Sequence, residues 1–200
     1  MIEMIEFEEE LYQEGYNLIA GIDEAGRGPL VGPVVAAAVI LPKGLVIEGL
    51  TDSKKLSKKK REYYFSLINK LALAVSISVV SAKRIDEVNI LNATKEAMID
   101  ASNNLKPKAE YLLIDAVKLE VELPSKSIIK GDQLSQSIAA ASVIAKVTRD
   151  ELMLKLDEEY PQYNFKNNMG YPTKEHLAAI KKYGLIDEHR RSYKPVKDAL

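Results

Sequence analysis

Leu18-Ile19-Ala20-Gly21-Ile22-Asp23-Glu24-Ala25-Gly26-Arg27-Gly28-Pro29 is the segment on which the reading of this 200-residue chain turns. An apolar run of strand character ends in two adjacent carboxylates, and a glycine-bracketed arginine follows directly. Carboxylates at the mouth of a buried strand suit a hard divalent cation, because Mg2+ prefers oxygen ligands. The glycines beside Arg27 let the backbone turn tightly and approach a bulky ligand closely. Asp23 and Glu24 are neighbours, so on a regular strand they face opposite ways. Only a break in the strand aims both at one site, and Gly26 and Gly28 offer one. Taken alone, the segment reads equally as a strand that ends in a polar, glycine-rich turn.

Outward from this segment, Val34–Leu41 is apolar at every position, the mark of a strand buried on both faces. Ala72–Val80 alternates serine with valine and isoleucine and reads as another strand. Tyr111–Asp115 is a short apolar strand that again ends in a carboxylate, and Ser127–Lys130 is a small strand before Gly131-Asp132. Helices are expected over residues 2–15, from a Ser57 cap to about Lys70, over Ala82–Val88 and over Asn92–Asn104. An alanine- and serine-rich helix runs from Asp132 to about Thr148, with Arg149–Glu159 able to prolong it as far as Pro161. Tyr163–Tyr171 is a polar loop, Thr173 caps a last helix over Lys174–Tyr183 that Gly184 ends, and Arg190–Leu200 is a polar tail. Early strands in a row, followed by helices alternating with short strands, make an α/β fold with a mixed sheet.

Net charge is −1, so no global basic field draws the chain to nucleic acid. Local basic clusters exist at Lys54-Lys55, Lys58–Arg61, Lys181-Lys182 and Arg190-Arg191. With no cysteine, disulfides, thiolate catalysis and zinc–thiolate sites are excluded. The first sixteen residues are acidic, unlike a secretory signal, and no apolar run reaches membrane-spanning length. A cytoplasmic protein with no membrane contact is expected.

Asp23, Glu24, Asp115 and Asp132 share a pattern. Ligand sites in open α/β sheets lie beyond the carboxyl ends of strands, so Asp23 and Asp115 can sit side by side if their strands are neighbours. An ionised Asp115 after Leu-Leu-Ile needs a partner or a metal, whereas Asp132 is also explained as a helix N-terminal aspartate. Four converging carboxylates carry about −4, which two divalent cations would neutralise in the clamp usual for phosphodiester cleavage. Lys146 lies fourteen residues beyond Asp132, about 21 Å along a straight helix, too far to join that cluster.

With these residues assembled, the chain resembles the type 2 ribonucleases H, the bacterial ribonuclease HII family. The resemblance rests on Gly-Ile-Asp-Glu-Ala-Gly-Arg-Gly-Pro (21–29), Asp-Ser-Lys-Lys-Leu-Ser (52–57), Ile-Asp-Ala (114–116), Lys-Gly-Asp (130–132), the 139–150 run, Gly-Tyr-Pro-Thr-Lys-Glu-His (170–176) and His-Arg-Arg-Ser-Tyr (189–193). It implies an RNase H-like mixed sheet flanked by helices: an N-terminal extension (1–16), a catalytic domain (17–160) and a small C-terminal helical cap and tail (161–200). It also implies metal-dependent cleavage of RNA in RNA–DNA hybrids, and incision 5′ of single ribonucleotides in duplex DNA that leaves 5′-phosphate and 3′-hydroxyl ends. By position, Asp23, Glu24, Asp115 and Asp132 match the family's ligands for two Mg2+ or Mn2+ ions. Gly26, Arg27 and Gly28 match its ribonucleotide-contacting loop, and Tyr171 its tyrosine at the RNA–DNA junction. Lys54 and Lys55, with Lys146 and Arg149, are candidates for phosphate contacts. A metal-activated water needs neither His176 nor His189 as a general base. Met169 and Tyr193 depart from the family pattern, which favours a basic residue and phenylalanine there. Ribonuclease HIII is the nearest alternative, but Gly-Arg-Gly stands where that family has Gly-Thr-Gly, and too few residues precede Leu18 for its extra domain. A catalytically silent nucleic-acid-binding module of the same fold is a second alternative, though all four acidic residues are present. No apolar stripe calls for a dimer, so a monomer is expected.

Overall fold

A computed structural model describes residues 4–199; the expected helix start at residue 2 and the final residue of the tail lie outside them. The elements are α1 (Glu6–Gln13), β1 (Ile19–Ala25), β2 (Val34–Ile40), α2 (Lys58–Leu71), β3 (Ala74–Val80), α3 (Ala82–Val88), α4 (Ile90–Asn103), β4 (Tyr111–Asp115), β5 (Ser125–Ile128), α5 (Gln136–Glu159), α6 (Phe165–Asn168), α7 (Lys174–Tyr183) and α8 (Lys194–Lys197). One mixed sheet runs in the order β3-β2-β1-β4-β5. Neighbouring in sequence order, β1, β2 and β3 pair antiparallel, with α2 inserted between β2 and β3, while β4 adds to β1 and β5 to β4 in parallel.

Small residues dominate β2 because helices lie against both of its faces. Ala36, Ala38 and Ile40 pack with Ala97, Met98 and Ala101 of α4. Ala37 and Val39 face the other way, onto Ile68 of α2 and Ala140 and Ile144 of α5. Every residue of β2 is buried, as its unbroken apolar run foretells. The closest approach is at Gly21, where a Cβ would stand 2.0 Å from the carbonyl carbon of Ser137. Any side chain there would push α5 off the sheet.

Local capping chemistry sets the helix starts. Ser57 and Thr173 accept the N–H groups of Lys60 and His176, and Ser135 accepts that of Ile138 at the head of α5. The long helix is a single unbroken 24-residue element starting at Gln136. Asp132 therefore does not open it, but lies in a 3₁₀ turn over Gly131–Gln133. The β5 strand also sits earlier than its apolar residues imply: Lys130 turns at φ +58° and Ile129 is left 79% exposed. Within the expected loop and tail, α6 and α8 are short helices of four residues each, too brief to leave a periodic signal.

The C-terminal helices close over the far end of α5. Leu30, Val31, Met153, Tyr163, Phe165, Ile180 and Val196 share one core there. Leu30 N–H donates to Gly170 O and Arg190 N–H to Leu30 O, both at 2.8 Å, so the loop after β1 is stitched between the two C-terminal segments. Among the described residues no helix is long and apolar enough to cross a membrane.

Candidate active site at the ends of β1 and β4

Strand register creates the site. Ile22 pairs with Ile114, the last β1–β4 pair, so Asp23 and Asp115 follow side by side. Pairing with β2 continues to Ala25, and the chain breaks only at Gly26, with φ +102°. The break expected to aim Asp23 and Glu24 together thus comes after both. Asp23 Oδ1 instead folds back to accept the N–H of Glu24 (2.7 Å), and both side chains still lie within the field of Asp115. Asp115 finds a partner of its own, since its Oδ1 accepts the Gly131 N–H at 2.7 Å. That bond ties the end of β4 to the turn carrying Asp132.

The electrostatics are those of crowded carboxylates. Burial, then the charges of Glu24 and Asp115, push the Asp23 carboxyl well above its usual range, against opposing bonds from Ser142 and the Glu24 N–H. Burial also raises Glu24, with Arg27 opposing and Asp115 adding to the rise. Asp132 is pushed up to about 6, first by burial and then by Asp52 and Asp115. Lys54 is the local counter-charge: burial works against its ammonium, but Asp23, Asp52, Asp132 and Glu24 hold its pKa up. Glu24 Oε2 is buried without a hydrogen-bond partner. A buried orphan oxygen beside carboxyls that resist ionising is an all-oxygen donor set short of positive charge, and it fits a hard divalent cation. Among the described residues, no three aspartate, glutamate or histidine side chains are already drawn together around one point.

A cleft of about 280 Å³ opens from Glu24 past the Gly26–Gly28 loop to Tyr171. Arg27 is half-exposed, with Nη1 3.5 Å from Glu24 Oε1. A Cβ on Gly28 would meet Cε1 of Tyr171 at 3.3 Å, so the tyrosine ring faces the loop closely enough that a side chain there would make it give by a few tenths of an ångström. Tyr171 is itself 44% exposed. Lys55 Nζ donates to Gln133 Oε1 (2.8 Å), bridging its loop to the Asp132 turn.

Three expectations change. Lys146 is remote from Asp132 along the chain, yet it lines the same cleft as Glu24 and Lys54. The reason is that α5 tracks β1, from Ser137 at Gly21 to Arg149 at Gly26. The Lys146 ammonium pairs with Asp150 at 2.7 Å. Arg149 also borders the cleft, but it is 1% exposed and commits its donors to the carbonyls of Pro33, Val31 and Met169 at 3.1–3.2 Å. A guanidinium so engaged props the loop from behind and has little left for a phosphate. Arg190, read from sequence as part of a surface patch, is wholly buried and donates to Gly32 O, Gly26 O and Arg27 O. The two departures from the family pattern have explicit places: Met169 supplies the carbonyl held by Arg149, and the Tyr193 hydroxyl donates to Arg27 O at 2.6 Å.

Sequence reasoning missed Asp52, Ser53 and Ser142. The hydroxyls of Ser53 and Ser142 meet at 2.9 Å, Ser142 bonds to Asp23, and Asp52 stands against Asp132. A serine buried in an otherwise alanine-rich helix needs a hydrogen-bond partner, and that was the available signal.

Residues 20–196 match the family described as Ribonuclease HII. The ribonuclease HII of Geobacillus sp. (strain WCH70) is 58% identical over 198 residues, covering 99% of this chain and 72% of that protein. That of Bacillus thuringiensis (strain Al Hakam) is 55% identical over 199 residues, covering 100% and 77%. Among solved structures, the ribonuclease H2 from Pyrococcus horikoshii OT3 superposes with a TM-score of 0.78 at 28% identity, covering 90% of this chain and 96% of that one. An RNase HII from Archaeoglobus fulgidus, solved in complex with PCNA, gives 0.74 at 28% identity, covering 88% and 95%. A match of this length and identity, on a mixed sheet whose strand ends collect acidic residues, places the chain in the ribonuclease HII family, as a ribonuclease H-type hydrolase.

Proposed function

We propose that this ribonuclease, whose family acts on RNA–DNA hybrids with divalent metal ions, also incises duplex DNA on the 5′ side of a single embedded ribonucleotide. The observation that carries this reading is the apposition of Tyr171 and Gly28 in the same cleft as Glu24. A 2′-hydroxyl is what separates RNA from DNA at one nucleotide. Backbone groups at Gly26 and Gly28 approach it because no side chain intervenes. Tyr171 stacks beneath the following deoxyribose, where a further hydroxyl would clash. Asp23, Glu24, Asp115 and Asp132 are the residues that would hold two ions, Mg2+ or Mn2+. Such ions supply the positive charge that activates water toward phosphorus and stabilises the departing 3′ oxygen.

The remaining roles belong to side chains of this chain. Lys54 offsets carboxylate repulsion and lies where a phosphate approaches, while Lys55 and Lys146 offer ammonium groups further along the backbone. Arg149 and Arg190 hold the loop in shape. Residues 17–160 then act as the catalytic body, and 161–200 as a cap that delivers Tyr171. The enzyme works as a cytoplasmic monomer in this reading.

The test is cleavage of a labelled DNA duplex carrying one ribonucleotide, with Mg2+, Mn2+ and EDTA in parallel, for the wild type and Tyr171→Ala. A single 5′-side cut, abolished by EDTA and at least about tenfold weaker in the variant, is expected. Cutting confined to long hybrids, or unaffected by the substitution, would remove the junction-reading role.

A further inference from the structure

An α-helix leaves the N–H groups at its start without partners inside the helix. At the head of α5 four such groups are taken, and by separate parts of the chain. Ser135 N–H donates to Gly131 O at 2.8 Å, in the turn that carries Asp132. Ile138 N–H donates to the Ser135 hydroxyl at 3.2 Å. The other two reach into the N-terminal segment. Gln136 N–H donates to Met4 O, and Ser137 N–H to Glu8 Oε1 at 2.9 Å.

Glu8 is the centre of this joint. It is 4% exposed, and its Oε1 also accepts the Ser135 hydroxyl hydrogen at 2.7 Å. A buried carboxylate is costly unless it is hydrogen-bonded, and the positive end of a long helix offsets part of that cost. Oε2 is buried without a partner, so all the bonding of this side chain falls on Oε1 and the head of α5. One turn further along α1, Leu11 packs with Ile19, Leu113, Ile128 and Ile138. That cluster seats α1 against β1, β4 and β5 and fixes where Glu8 stands.

From Ser135 the path to the carboxylates is short. Ser135 N–H holds Gly131 O, and Gly131 N–H holds Asp115 Oδ1 at 2.7 Å. Asp132 is the next residue in the same turn. We propose that Glu8, which lies ahead of the residues 20–196 that match the family, is a positioning residue of the active site. Through Ser135 it holds the turn that aligns Asp115 and Asp132 for a divalent ion, a role that rests on the metal reading given to those two above. Glu8 is not itself a ligand. The N-terminal helix thereby completes the site from outside the catalytic body.

The test is Mg2+ titration by calorimetry, at a temperature where circular dichroism shows every variant folded. Glu8→Ala should bind Mg2+ about fivefold or more weakly, below the scale of losing a group that orients a ligand directly. Glu8→Gln keeps the Oε1 acceptor and puts its NH2 at the oxygen that has no partner to lose, so it should stay within about twofold. On long hybrid, the Mg2+ needed for half-maximal cleavage by Glu8→Ala should rise in step, with KM for the hybrid unchanged. A folded Glu8→Ala with wild-type Mg2+ affinity would overturn the role, because a purely structural residue moves the melting temperature and not this affinity. Ser135→Ala, which keeps the Glu8–Ser137 bond, should weaken Mg2+ by about threefold. The double variant should lie close to Glu8→Ala alone, and a loss equal to the product of the two would overturn the path through Ser135. Asp115→Asn separates the two possible failures. If it loses Mg2+ affinity while Glu8→Ala does not, the positioning role alone falls; if it binds Mg2+ like the wild type, the metal reading falls and takes the role of Glu8 with it.

Discussion

On one side of the Gly26–Gly28 loop stands a group of carboxylates, and on the other two buried guanidiniums. Both collect like charges in a confined space, and they resolve the conflict differently. Arg149 and Arg190 spend their donors on backbone carbonyls and the Tyr193 hydroxyl. Burial lowers the pKa of both, that of Arg149 to about 10. They remain charged at neutral pH and act as struts. The carboxylates keep a deficit: Glu24 Oε2 has no partner, and Asp23, Glu24 and Asp132 are all raised. A site completed within the protein is structural. One left incomplete is built to take something from outside.

The largest effect should come from the incomplete side. Asp115→Asn keeps the shape and removes a charge, and kcat on RNA–DNA hybrid should fall by about 10²–10³-fold, the scale of losing a group that stabilises transition-state charge. Hybrid binding should be nearly unchanged in a gel-shift or anisotropy titration. Turnover near wild type would erase the contrast, because the carboxylate would then be as structural as the arginines.

Arg149→Met tests the completed side. It strips donors from three carbonyls, at about 1 kcal/mol each, partly offset by relieving a buried charge. A loss of about 2–3 kcal/mol should lower the melting temperature by roughly 5–10 °C in a chain of this size. Lost affinity for substrate without lost stability would return Arg149 to the phosphate-binding role.

The smallest effect separates the two regions by cation. Mg2+ at about ten times its Kd should stabilise the protein by about 1.4 kcal/mol through mass action. The increment should shrink as pH falls through about 6. A carboxyl whose folded pKa is raised, as for Asp132, is ionised and repelled above that value. Repulsion is relieved as protons bind on the way down, and those protons compete with the metal. Calorimetric scans with and without Mg2+ at pH 7.5 and 5 read this difference directly. An increment independent of pH would mean that the ion binds elsewhere.

Much of the chain was legible before any folding was considered. The both-sides-buried β2, the strand-terminal carboxylates and the Ser57 and Thr173 caps follow from side-chain period and from bonds that a residue makes to its own neighbours. Long motifs in fixed order added the family. Errors fell where local pattern and packing part company. Ile129 looks like strand but faces solvent, and Asp132 looks like a helix start but belongs to a separate turn. Arg149 and Arg190 look like surface cations, but they lie in the interior.

What tertiary structure alone decided is adjacency between distant segments. The Ile22–Ile114 register sets Asp23 beside Asp115. The passage of α5 along Gly21 and Gly26 brings Lys146 to the cleft and Arg149 beneath the loop. The closing of α7 against the 186–190 segment buries His176 and His189 with ring centres 5.6 Å apart. Each of these depends on many side chains packing at once, and no short window of residues contains that information.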